Sequence, residues 1–140
     1  MADFERAIGL DTSVVVRLLT GEPPDQAARA LAFVSESRQA SNVIFVSDLV
    51  VTEAYYALHA HYGVPKSEAL RTLLDLMESG LVQPEPGGCA LDALRAMKSA
   101  PQKPGFADRL IHAQYRRHSA GLASFESASR RLAGARLLGG

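Results

Sequence analysis

Four acidic residues stand where an acid is out of keeping with its surroundings. Asp11 directly follows the apolar run "RAIGL", and Glu126 directly follows "GLASF". Glu53 lies in "LVVTEAYYALHAHY", with Leu49, Val50, Tyr56 and Ala57 as helical neighbours; Asp108 opens "FADRLIHAQY", with Ile111, His112 and Tyr115 three, four and seven positions on. An isolated carboxylate on an inward face is costly or takes up a proton, so each needs a partner. Two accounts compete. In the local one, Asp11 caps the helix "TSVVVRLL", Asp108 caps or complements its own helix, Glu53 pairs with an arginine such as Arg17 or Arg109, and Glu126 is solvated. In the collective one, Asp11, Glu53, Asp108 and Glu126 converge, and a divalent cation relieves their repulsion. Oxygen-only ligands select Mg²⁺ or Mn²⁺ over zinc. Such a pocket suits phosphodiester chemistry, because the cation polarises a phosphate, lowers the pKa of a bound water and neutralises developing charge.

The elements that must position these acids alternate. "RAIGL" before Asp11 and "NVIFV" before Ser47 and Asp48 are continuous apolar runs suited to buried parallel strands, and "LVQPE" and "GLASF" are weaker strand candidates. Between them lie helical patterns. "PKSEALRTLLDLMESG" starts with Pro65, repeats Leu70, Leu73, Leu74 and Met77 at helical spacing and stops at Gly80. "PPDQAARALAFVSESRQ" is expected to start at Asp25 as N-cap and to turn Ala27, Leu31 and Val34 to one side. The helices that carry Glu53 and Asp108 are expected to close at Gly63 and Gly121. Strands alternating with helices predict a three-layer α/β/α fold with a mostly parallel central sheet. Ligands of such sheets gather beyond the carboxyl ends of the strands, where Asp11 and Glu126 fall.

Composition sets the outer limits. With 140 residues, 47% of them hydrophobic and 21% charged, the chain is expected to form one domain over 1–140, with "GEPPD", "QPEPGG" and "PQKPG" as internal loops. Fifteen basic residues balance fifteen acidic ones, so no global field draws in a polyanion, and any such ligand must be held locally. Cys89 has no second thiol for a disulfide or zinc site, and reads as a small buried or half-buried side chain beside a helix start. The start "MADFERA" is polar and acidic where a signal peptide is basic and then apolar, and nothing approaches the ~20 apolar residues of a membrane span; a soluble, cytoplasmic protein is expected. Asp3, Glu5, Glu85 and Asp92 read as ordinary exposed or capping acids.

Taken in order, "IGLDTSVVVRLL", "VSDLVVTEAYYAL", "GFADRLIHA" and "LASFE" resemble the PIN-domain family, and their spacing over nearly the whole chain is similar to the toxin component of VapBC toxin–antitoxin modules. The resemblance implies an Mg²⁺- or Mn²⁺-dependent endoribonuclease, with RNA as substrate, a small cognate antitoxin and a homodimer as partners, and no membrane. It also implies that Asp11, Glu53 and Asp108 match the family's three principal acids, and that Ser124 falls on the hydroxyl position of its Thr-Phe-Asp segment. Glu126 stands where that segment usually has Asp. Cleavage of this type leaves a 5′-phosphate and a 3′-hydroxyl.

Other residues carry weaker expectations. RNA needs cationic contacts, and Arg109, Arg116 and Arg117, with Arg130 and Arg131, lie near Asp108 and Glu126; Arg109 is the first choice. His112 and His118 read as ordinary helical residues, and His59 and His61, two apart, do not share a face. Tyr55, Tyr56 and Tyr62 read as core and interface. Two other classes compete with the nuclease. One is a catalytically weakened PIN-like domain kept as a binding or scaffold module; the other is a phospho-acceptor receiver domain, which lacks here the paired acids at the first strand and the late lysine it would need.

Overall fold

The computed structural model describes residues 6–139; Asp3, Glu5 and the rest of the first five positions lie outside the described residues. Two compact units divide the chain, Met1–Gly88 and Cys89–Gly140.

The first unit alternates strands and helices. Strand β1 (Ala7–Gly9) leads through helices α1 (Thr12–Thr20) and α2 (Pro24–Gln39) to β2 (Val43–Val46), then through α3 (Asp48–Ala60) and α4 (Lys66–Glu78) to β3 (Gln83–Pro84). The three strands form one sheet in the order β1-β2-β3, with both pairings parallel. Parallel neighbours require a crossover, and the helix pairs supply it. In this register Gly9 pairs with Phe45, and the Leu10 N–H donates to the Phe45 carbonyl at 2.9 Å, so α1 and α3 both start beyond the same sheet edge. Helix α1 forms despite three consecutive valines, whose β-branched side chains favour strands. Burial of Val15 and Val16, both under a tenth exposed, overrides that preference, with each buried valine contributing roughly 1.5–3 kcal/mol. Helix α1 lies against α2 and α3, and α3 against α4, where Ala54, Leu58, Leu73 and Leu74 are buried.

Two details of this unit differ from expectation. Helix α2 takes Pro23 as N-cap and Pro24 as its first residue, so Asp25 sits inside the first turn instead of capping it. Proline fits there because its fixed φ suits the first turn and its missing N–H would have no helical partner. Leu31 is 55% exposed, so the buried side of α2 is Ala30, Val34 and Ser37.

The second unit comprises α5 (Ala90–Met97), α6 (Phe106–Arg116), β4 (Leu122–Ser124), a short 3-10 helix (Ser127–Arg131) and β5 (Ala135–Leu137). Strands β4 and β5 pair in parallel, and α5 lies against α6. Strand β5, three residues of mixed polarity, had no counterpart among the sequence-based elements, and of α5 only the start beside Cys89 was expected. Buried Cys89 is the residue before α5, as expected. Helix α6 ends differently from the prediction, with Ser119 at φ 58° taking the left-handed position assigned to Gly121. Gly121 has another reason to be glycine, since a Cβ there would meet the Gly134 carbonyl oxygen at 2.7 Å. Among the described residues no helix is long and apolar enough to cross a membrane.

Candidate active site

Within the first unit, the end of β1 and the start of α1 fix Asp11. Its backbone is extended, as an N-cap requires, and its Oδ1 accepts from the Ser13 N–H at 2.9 Å. The local account is therefore correct for this oxygen. Asp11 is nonetheless exposed, and among the described residues its Oδ2 has no hydrogen-bond or ion-pair partner.

Glu53 stands in the second turn of α3, whose start is held twice. The Ser47 hydroxyl accepts from the Val50 N–H at 3.1 Å, and Glu85 Oε1 accepts from the Asp48 N–H at 2.8 Å. Glu85, read from sequence as an ordinary exposed or capping acid, thus caps α3 from the loop after β3, a partner 37 positions away that its sequence position did not show. The Glu53 carboxylate does not pair with Arg17, which donates to Gln26 Oε1 and the Ser13 carbonyl. It accepts instead from the Thr12 hydroxyl, Oγ1 to Oε1 at 3.1 Å. Thr12 immediately follows Asp11, so this bond sets the Glu53 carboxylate against the residue next to the first acid. Glu53 is exposed in the company of Leu49 (67%) and Tyr56 (50%), so the apolar stripe around it faces outward. On the other side of α3, Tyr55 is 5% exposed; burial pushes its phenol above the ordinary 10.0, and neighbouring Tyr56 acts in the same direction.

Within the second unit, Asp108 is the third residue of α6 and half-buried, placed to complement that helix's N-terminal dipole. The expected inward face at Ile111 and Tyr115 is corrected here: they are 43% and 49% exposed, and the helix buries Phe106 and Leu110 instead. Ser124 ends β4 and accepts the Glu126 N–H at 2.9 Å, a tight side-chain turn that presents Glu126 just before the 3-10 helix. The Ser124 hydroxyl donates to the buried Ser129 hydroxyl at 3.4 Å. Arg109 is committed to loop carbonyls, Nε to Pro104 at 2.9 Å and Nη2 to Pro101 at 3.1 Å. Arg131 likewise donates to the Lys103 carbonyl. Arg116 and Arg117 are exposed. His112 Nε2 lies 2.7 Å from the Ala133 carbonyl and so carries its proton there.

Residues 8–135 fit the model of the PIN domain. The chain belongs to the PIN-domain family. No curated protein and no solved structure matches it. The fold class is accordingly that of the PIN domain, three-layer α/β/α with parallel strands, and the six helices and wholly parallel pairings among the described residues agree with it. PIN domains are generally nucleases that bind RNA and typically use divalent metals.

The residues of this PIN chain can be tested against such a metal. Among the described residues no group of three or more His, Cys, Asp or Glu side chains is gathered to hold an ion. Mg²⁺, however, keeps several of its waters and is commonly held by only one or two carboxylates. Asp11 and Glu53, each with one oxygen uncommitted and no ion pair among the described residues, provide a donor pair of the right hardness. Thr12 and the pairing of Asp48 with Glu85 were missed from sequence. Only Thr12 carried a signal, its position beside Asp11 in "LDTS".

Proposed function

We propose that this PIN-family chain is a divalent-metal-dependent endoribonuclease, the toxin of a type II toxin–antitoxin pair resembling those of VapBC modules, and that residues 1–140 act as one PIN domain. The observation that carries the reading lies in the first unit. Asp11 and Glu53 follow neighbouring parallel strands beyond one sheet edge, and both keep a carboxylate oxygen free of any partner among the described residues. Asp11 and Glu53 would hold Mg²⁺ or Mn²⁺, which would supply a polarised phosphate and an acidified water when bound, and the family resemblance assigns Asp108 and Glu126 to the same chemistry. The chain's own residues do the positioning. Asp11 is held by its cap and Glu53 by Thr12, while the Ser124 turn fixes the backbone of Glu126, whose carboxylate would orient the attacking water. Arg116 and Arg117, exposed near the end of α6, are better placed to meet phosphates than Arg109, whose guanidinium is held by two loop carbonyls.

The partners follow from the surface. Leu49 and Tyr56 leave an exposed apolar stripe on the same side of α3 as Glu53. An antitoxin segment lying along that stripe would cover the acid as it buries the stripe, and a homodimer is the other expected assembly. A second reading, a PIN fold kept as a binding module without chemistry, is favoured by one observation: no three potential ligands gather among the described residues. Purified protein incubated with single-stranded RNA separates the two. The nuclease reading expects cleavage with Mn²⁺ or Mg²⁺ that stops on chelation and is absent in Asp11→Asn; bound but uncut RNA would support the module.

A further inference from the structure

The geometry points to Thr12 as a positioning residue whose hydroxyl presets the Glu53 carboxylate for a divalent cation. The inference rests on the metal-site reading above and adds to it a residue that is itself no ligand. Thr12 is the first residue of α1, a position where a threonine hydroxyl commonly turns back to its own backbone. Here Asp11 already satisfies the Ser13 N–H, and the Thr12 hydroxyl reaches Glu53 Oε1, 41 positions along the chain, at 3.1 Å. The direction of the bond is fixed, since an ionised carboxylate only accepts and the hydroxyl carries the single proton. Threonine is also stiff at χ1, which makes it a rigid donor.

Glutamate, by contrast, is a long side chain with much rotamer freedom, and Glu53 is exposed, so packing does little to hold it. Among the described residues Thr12 is the one group bonded to its carboxylate. Holding Oε1 in place leaves Oε2 directed before any cation arrives, and a preset ligand binds more tightly than one that must be ordered on binding. An exposed hydrogen bond adds little to the stability of the fold, so the effect on the cation and the effect on folding separate.

The test uses the full chain and Mn²⁺ alone, with the free-ion electron paramagnetic resonance signal reporting affinity and thermal melting reporting the fold. Thr12→Val keeps shape and branching but loses the hydroxyl, and should weaken Mn²⁺ binding about tenfold with little change in melting. Thr12→Ser, which restores the donor, should recover most of that loss. Combined with Glu53→Gln, Thr12→Val should add almost nothing, because its effect passes through that carboxylate. Unchanged Mn²⁺ affinity in Thr12→Val, or losses that add in the double variant, would overturn the role of Thr12 while leaving the metal site standing. A wild-type chain that binds no Mn²⁺, or a Glu53→Gln chain that binds it equally well, would remove the metal site and the role of Thr12 with it. If Thr12→Val does not fold, Thr12→Ala replaces it, and failure of both makes the hydroxyl structural and overturns the inference.

Discussion

The two units of this chain hold their candidate acids by different means. In Met1–Gly88 the bonds that matter span the sequence: Thr12 to Glu53 across 41 positions, and Asp48 to Glu85 across 37. In Cys89–Gly140 the bond at a candidate acid is short-range, from the Glu126 N–H to Ser124 across two positions, and the bonds that span this unit, Arg131 to Lys103 and His112 to Ala133, involve no candidate acid. A backbone set by a turn is placed as soon as the local chain forms. A carboxylate set by a distant helix is placed only when the sheet and both helices have packed. Damage to packing should therefore disturb Glu53 well before it disturbs Glu126.

The largest effect expected from a single change is at Asp11, which caps α1 with one carboxylate oxygen and keeps the other free among the described residues. Asp11→Asn should lower Mn²⁺-dependent RNA cleavage roughly a thousandfold, a loss of several kcal/mol of metal-borne stabilisation. Its melting should not change, because asparagine caps about as well as aspartate. Asp11→Ala should lose the same activity and also about 1 kcal/mol of stability. A clear loss of stability in Asp11→Asn would return this residue to a purely structural role.

The long-range arrangement is sharpened at the start of α3. A Cβ on Gly88 would meet Glu85 Cγ at 2.9 Å and Asp48 Oδ1 at 3.0 Å, both in the cap that holds this helix. Gly88→Ala is expected to cost about 1–3 kcal/mol in urea denaturation. Glu85→Ala, which leaves the Asp48 N–H without its acceptor, should fall in a similar range of about 1–3 kcal/mol. Cleavage should drop in both variants if α3 carries Glu53 out of place.

The short-range arrangement predicts a milder response. Ser124→Ala should lose about 1 kcal/mol and only part of the cleavage rate, and Ser124→Thr, which keeps the acceptor for the Glu126 N–H, should restore both. An equal loss in both variants would show that the small size of serine, and not its hydroxyl bond to the Glu126 N–H, is what the turn needs. The smallest effect concerns Tyr55, whose raised phenol pKa favours the neutral form in the folded chain. That advantage is complete below the unfolded value of 10.0 and is lost as pH rises above it through the folded value. Alkaline titration of phenolate absorbance should contain one late-titrating group that disappears in Tyr55→Phe.

Much of this was legible in the chain itself, for local reasons. Apolar runs placed β1, β2 and β4, and the position of Asp11 after a strand and before a helix marked it as a cap as well as a site candidate. Local rules failed where two choices were equally good over a few residues. Asp25 and Pro23 both suit a helix start, and the fixed φ of proline decided between them. Ile111 and Tyr115 have the periodicity of a buried face, as do Phe106 and Leu110, and periodicity alone does not say which face is covered.

The alternation of strands and helices from β1 to β3, the acids at the strand ends and membership of the PIN family were set by the sequence alone, since caps, turns and apolar period act over a few neighbouring residues. The outward face of α6, the Glu85 cap on α3 and the bond from Thr12 to Glu53 were decided only by tertiary structure. Each joins or exposes groups according to how packed helices meet, and no spacing along a chain encodes a hydrogen bond between side chains 41 positions apart.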